Sequence, residues 1–194
     1  MEQQHILVSI LSQMTRLSPE ESADIESAFP IKTFPKGTYL LREGQLAKAA
    51  YYVLRGIIRE YTILDGEEKT TAFYTEDQSA ANFHSLANGV PSSKYFVCAE
   101  ESSLAVLSSE KEEELYRKYP RFEQFCRTGM ESMMGQQQED LSRFLMMDPE
   151  SRYRSFLKER PGLSNRIPQY QLASYLGIKP ETLSRIRKRM AARG

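Results

Sequence analysis

The chain reads IPQYQLASYLG over residues 167–177 and continues IKPETLSRIRKR over 178–189. This spells two short helices joined by a tight turn. Pro168 and Pro180 each stand where a first helical residue belongs, because proline's fixed φ and missing N–H cost nothing there. Ala173 is small enough to lie where two helices cross closely. Gly177, four residues later, reaches the left-handed conformation that a sharp inter-helix turn needs. Leu183 points back into the crossing, and Leu172, Leu176, Ile178 and Ile186 fill the rest of a small core. That is the pattern of a helix-turn-helix, whose second helix lies in the major groove of DNA.

The second helix supplies the chemistry. Lys179, Glu181 and Thr182 fall in its first turn, and Ser184 and Arg185 follow. An arginine fork takes guanine O6 and N7 together, and a glutamate accepts from cytosine N4. These five residues are the expected base-contacting set. Arg187, Lys188 and Arg189, with Arg166, Gln169 and Gln171 around the start of the first helix, are the expected phosphate-contacting set, which adds affinity without sequence information. The competing reading is a basic, exposed helix with no nucleic-acid role.

Charge supports the first reading. Residues 151–194 hold 11 of the 26 basic and 2 of the 26 acidic residues, a net charge of +9, and residues 1–150 carry the balancing −9. A basic end on an acidic body points to a polyanionic partner for that end, although a solvated basic tail has the same composition. Upstream, Asp148-Pro-Glu150 reads as a helix start, with Asp as cap and Pro at the first position. A domain boundary is therefore expected near 148.

Before that boundary, residues 121–147 read as one long helix. Phe122, Phe125, Cys126, Met130, Met133, Met134, Gln137, Leu141, Phe144 and Leu145 recur at steps of three and four. Such a helix is about 40 Å long. Pairing with a twin in a homodimer is the economical way to bury its stripe, and an intramolecular core helix is the plainer alternative. Glu110 to Tyr119 reads as a shorter helix that Pro120 ends or bends.

From about 31 to 108 the signal changes to short strands parted by turns such as Pro35-Lys-Gly37, Arg55-Gly56 and Asp65-Gly66. Asp-Gly between alternating residues is a tight hairpin signal. Many short strands with glycine turns mean an antiparallel sandwich or barrel, and Ser79 to Gly89 has room for a short helix on it. Residues 1–29 read as helical, with Ser18-Pro-Glu-Glu21 as a start.

Composition narrows the function classes. No apolar run reaches the 18 or so residues needed to span a bilayer. The start has no basic stretch before its apolar segment, so a cytoplasmic, unsecreted chain is expected. Two cysteines, Cys98 and Cys126, are too few for a disulfide framework or a four-thiolate metal or iron–sulfur site. Two histidines, His5 and His84, leave little for zinc, haem or cupin-type catalysis, and no nucleophile–base pair or phosphate loop stands out. An enzyme is not expected.

Two stretches resemble a known family. Glu181-Thr-Leu-Ser-Arg185 is similar to the recognition helix of the CRP/FNR transcription regulators, relatives of the cyclic-AMP receptor protein, and Tyr51-Tyr-Val-Leu-Arg-Gly-Ile-Ile58 is similar to a strand–glycine–strand in their barrel. The resemblance covers nearly the whole chain. It implies an α+β protein: a jelly-roll sensor with flanking helices over 1–120, a long dimerisation helix over 121–147 and a helix-turn-helix domain over 148–194. It implies Glu181 and Arg185 as base readers, double-stranded DNA and a second copy of the chain as partners, and RNA polymerase as a further one. Pro180 stands where many members carry a third base-contacting arginine. The chain stops at Gly194, so the β-hairpin wing with which many members continue is not expected.

Members that bind cyclic nucleotides hold the ribose with a Gly-Glu pair and the phosphate with Arg-(Ser/Thr)-Ala. The matching segments here read Ala80-Ala81 and Ser93-Lys94-Tyr95. A bidentate arginine is hard to replace at a phosphate, so no cyclic nucleotide is expected. Those five residues are the candidate lining for an unidentified effector. The expected function is a homodimeric, sequence-specific transcription regulator on an inverted-repeat site; the alternative is a sensor module whose basic end docks a protein.

Overall fold

The computed structural model describes residues 5–192. In chain order the elements are α1 (Ile6–Met14), α2 (Pro19–Ala28), β1 (Ile31–Phe34), β2 (Tyr39–Leu41), β3 (Ala49–Arg55), β4 (Ile58–Leu64), β5 (Glu67–Tyr74), β6 (Ser79–Ala80), α3 (Phe83–Asn88), β7 (Tyr95–Cys98) and β8 (Ser102–Ser108). There follow α4 (Ser109–Lys118), α5 (Pro120–Met146), α6 (Pro149–Glu159), α7 (Leu163–Arg166), α8 (Gln169–Tyr175) and α9 (Pro180–Ala191). The strands form two four-stranded sheets, ordered β1-β8-β3-β6 and β2-β7-β4-β5. This is the expected antiparallel jelly-roll architecture with a long helix and a helical end.

The chain divides into two compact units. One comprises the chain up to Arg59 with Tyr74–Ser132; the other comprises Glu60–Phe73 with the chain from Met133 onward. In the first, β8 runs antiparallel between β1 and β3, opposing Ile31 to Ala105 and Tyr52 to Ala105 on its two sides. Leu41, Val53, Ile58, Ala80, Phe96, Cys98 and Leu104 form its buried core. Gly56 sits at φ +109, and a Cβ there would lie 2.3 Å from Ser102 Oγ, so no side chain fits. The Ser102 hydroxyl instead accepts from the Ile57 N–H at 3.3 Å.

A second core joins Val8, Ile25 and Phe29 of the N-terminal segment to Leu115 and Phe122. Ser18 caps α2 with the full reciprocal box: Glu21 N–H donates to Ser18 Oγ at 3.1 Å and Ser18 N–H to Glu21 Oε2 at 2.7 Å. His5 Nε2–H donates to the Phe29 carbonyl at 2.8 Å, so this histidine ties two segments of the core together.

In the second unit, Asp65 and Gly66 link β4 to β5 with φ values of +54 and +77. Two consecutive left-handed residues make the primed turn that matches strand twist, as the Asp-Gly pair requires. In the first unit, Pro120 follows α4 and opens α5, whose one buried residue is Phe122.

Candidate nucleic-acid interface

Asp148 caps α6 by accepting from the Ser151 N–H at 2.9 Å. That bond, first among its causes, holds the Asp148 carboxyl below the usual carboxylate range. One turn on, Tyr153 and Phe156 face inward and are buried with Leu163, Ile167, Leu172, Ala173, Leu176, Leu183 and Ile186. These nine side chains are the floor on which α8 and α9 stand.

The turn between α8 and α9 is a Schellman motif. Ile178 N–H donates to the Ala173 carbonyl at 3.0 Å and Gly177 N–H to that of Ser174 at 3.0 Å, with Gly177 at φ +68. Ala173 and Leu183 are fully buried, as the crossing of two helices demands. Pro180 opens α9 as expected, whereas Pro168 takes the cap position with ψ 143 and α8 begins at Gln169. The short helix α7, which no periodicity announces, leads into that cap.

Burial alternates along α9 with the helical period. Leu183 and Ile186 are buried; Glu181, Ser184, Arg185 and Lys188 are exposed. Spacings of three and four put those four on one face. Thr182 is half-buried beside them, and its Oγ1 accepts from Arg185 Nη2 at 3.4 Å. Lys179, also exposed, caps α9 through its backbone, its carbonyl accepting from Leu183 N–H at 3.1 Å. Of the expected base-contacting residues, Glu181, Ser184 and Arg185 therefore share one exposed face of α9, and Lys179 and Thr182 lie at the same end of the helix.

The expected phosphate-contacting residues divide. Arg166 and Gln169 are exposed at the approach to α8, and Lys188 is exposed on α9. Arg187 turns inward: its Nε donates to the Tyr153 hydroxyl at 2.9 Å and its guanidinium lies 5.5 Å from that ring. Arg189 is ion-paired with Glu150, which also accepts from Arg154 at 2.8 Å. Arg154 and Arg189 hold the Glu150 carboxyl below its usual range. Gln171 is half-buried, with Nε2 donating to the Tyr170 hydroxyl at 3.2 Å. Arg187 thus contributes to the frame of the domain, which its position beside exposed neighbours did not disclose.

Arg152 is a further framing residue with no local sequence signal. Its Nη1 donates to the Leu176 carbonyl at 3.2 Å, at the end of α8, and its Nε to the Phe144 carbonyl at 3.1 Å. One guanidinium so fastens the helix-turn-helix turn to the last turns of α5.

In the jelly roll, the cassette between β6 and β7 is tied to itself. Ser92 Oγ accepts from Asn82 Nδ2 at 2.7 Å and from Lys94 N–H at 3.0 Å, and donates to the Lys94 carbonyl at 2.9 Å. Asn82 caps α3 by accepting from Ser85 N–H at 3.1 Å. Residues 79–95 contain neither arginine nor carboxylate, so no fork meets a cyclic phosphate and no carboxylate meets a ribose hydroxyl. These residues do not fit a cyclic nucleotide. A cavity of about 540 Å³ lies to one side, lined by Leu40, Leu41, Leu46, Tyr51, Asn82 and Phe96 among others. Ala80, Ala81, Ser93, Lys94 and Tyr95 do not line it; Ala80 is sealed in the core, and Tyr95 packs edge-on against Tyr39 at 6.2 Å. His84 is exposed and bonded to Asn88, and among the described residues no cluster of three metal-ligating side chains occurs. Among the same residues, no helix is long and apolar enough to cross a membrane.

Comparison with known proteins agrees with this architecture. Residues 31–119 match the model of the cyclic nucleotide-binding domain. The cyclic AMP receptor protein of Thermus thermophilus is 27% identical over 187 residues, covering 92% of this chain and 84% of that one. Two solved structures share the fold: the c-di-GMP-responsive global regulator CLP of Xanthomonas campestris, with a TM-score of 0.70, 16% identity and coverage of 91% and 93%, and FixK2 of Bradyrhizobium japonicum, with 0.71, 17% and 86% of each chain. With a jelly roll, a long helix and a helix-turn-helix in the same order, the chain has the fold of CLP and FixK2 and is similar along most of its length to a cyclic AMP receptor protein.

Proposed function

We propose that the chain is a sequence-specific DNA-binding transcription regulator that works as a homodimer on an inverted repeat. One observation carries this reading: α9 presents Glu181, Ser184, Arg185 and Lys188 on a single exposed face while Leu183 and Ile186 anchor its other face. Arg185 and Glu181 read base edges, and Arg166, Gln169, Lys188 and Arg189 meet phosphates. The match to a cyclic AMP receptor protein supports the same class.

The second copy is argued from α5. Met130, Met134, Leu141 and Leu145 are between 48% and 70% exposed, at spacings of four, seven and four. Soluble chains do not leave such a stripe bare without a partner. Two recognition helices then enter successive major grooves about 34 Å apart. The 540 Å³ cavity is where a small effector enters, and RNA polymerase is the machinery the bound dimer acts on.

Titration of the full chain with random-sequence duplex DNA tests the reading. Binding at low salt that falls linearly on a logarithmic salt scale is expected. Absence of binding at low salt would leave the basic surface to a protein partner.

A further inference from the structure

Glu150, in the first turn of α6, holds a guanidinium on each of its carboxylate oxygens. Oε1 accepts from Arg154 Nη2 at 2.8 Å and from its Nε at 3.3 Å, and Oε2 accepts from Arg189 Nη2. Arg154 lies four residues further along the same helix. Arg189 comes from the last turn of α9, 39 positions away. The carboxylate therefore brings together two arginines that the sequence keeps apart. Both arginine side chains are 51% exposed, against 19% for Glu150. The acid is the covered member of the group and the guanidiniums are its surface.

The place of the group follows from α9. Glu181, Arg185 and Arg189 recur at steps of four and are all exposed. Arg189 thus continues the face proposed to read bases. Its bond to Glu150 extends that face onto α6, where Arg154 is exposed in turn. A guanidinium carries more N–H donors, in a planar fork, than Glu150 engages on either arginine. A phosphodiester oxygen is the acceptor that such forks suit. The carboxylate between the arginines offsets their mutual repulsion and reduces the side-chain freedom lost on binding. A purely structural role accounts for less, because exposed ion pairs add little to stability.

We propose that Arg154 and Arg189, held as a pair by Glu150, form a clamp for one phosphate of the DNA backbone at the far end of α9, with Glu150 as its positioning residue. This rests on the DNA-binding reading of α9. Arg154 carries no sequence signal of its own, because an arginine four residues after a glutamate on a helix is the pattern of an ordinary solvated pair.

The test uses the full chain as wild type, Arg154→Ala, Arg189→Ala and the double variant, and the same set with Glu150→Gln added. Each is titrated with random-sequence duplex DNA over a range of salt, and its melting temperature is recorded. Arg154→Ala is expected to weaken binding several-fold. The double variant is expected to lower the salt slope by about one. It should also lose less affinity than the product of the two single losses, because either change opens the same clamp. With Glu150→Gln the two losses should multiply. Where Arg154→Ala melts low, Arg154→Lys, which keeps the charge but not the fork, takes its place and is expected to lose affinity as well. Wild-type affinity in the Arg154 variant overturns the clamp alone, as do an unchanged salt slope in the double variant and losses that multiply with Glu150 in place. Failure of the wild type to bind DNA at low salt overturns the DNA reading and the clamp with it.

Discussion

The backbone N–H of Ile178 donates to the carbonyl of Ala173 at 3.0 Å, closing the helix-turn-helix turn around Gly177. That bond sets the direction in which α9 leaves α8. It forms because the residue between holds φ +68, where an L side chain is strained. A Cβ at this position would also lie 3.4 Å from Arg152 Nη1, the group that bonds the Leu176 carbonyl. Gly177→Ala is expected to cost about 1–2 kcal/mol, read as a lower denaturant midpoint with unchanged slope. A midpoint equal to that of wild type would mean the turn is not under this constraint.

Ala173 has no exposed surface where α8 crosses α9. Ala173→Leu overfills that crossing and is expected to destabilise the domain by about 1–3 kcal/mol. DNA affinity should fall further than stability alone explains, because the exposed face of α9 proposed to read bases is re-aimed. Thermal melting and DNA titration of the same protein separate the two effects.

Both features were legible beforehand, and for a common reason. Gly177, Asp65-Gly66 and the caps Ser18 and Asp148 act on backbone within a few residues of themselves, so their chemistry shows as local spacing. What escaped the sequence acts across distance. Arg187 looked like its exposed neighbour Lys188, but the Tyr153 hydroxyl 34 residues away claims its Nε. Arg189 likewise has a distant partner in Glu150, although it stays exposed. That Ala80 is buried in the sandwich core depends on strand pairing that no single strand reveals.

Arg185 and Lys188 stand on one face of α9 and should separate by sequence dependence. Arg185→Ala is expected to lose roughly 1–3 kcal/mol on the preferred site and to relax one base preference. Lys188→Ala should weaken binding evenly across sequences and reduce the salt slope by about one. An even loss for Arg185→Ala would reassign it to the phosphates.

The α5 stripe should hold the dimer. Met134→Glu with Leu141→Glu is expected to give a monomer in sedimentation, with affinity for an inverted repeat reduced about tenfold or more. Neither residue is buried in the single chain, so the fold should persist by circular dichroism. A double variant that remains dimeric would move the interface elsewhere.

Glu150 is held below its usual range by Arg154 and Arg189. A lowered folded-state value means its stabilisation is present above the unfolded value, near pH 4.5, and is lost as pH falls through the folded one. Melting temperature should hold at neutral pH and decline in acid, and Glu150→Gln should flatten part of that decline. Parallel acid slopes for the two proteins would remove Glu150 as a cause.

The central claim is that two copies of α9 read base edges on one duplex. Selection of bound DNA from a random library by the full chain tests this most directly. An enriched inverted repeat with half-sites about one helical turn apart is the expected result. Enrichment of no sequence over the starting library would contradict it.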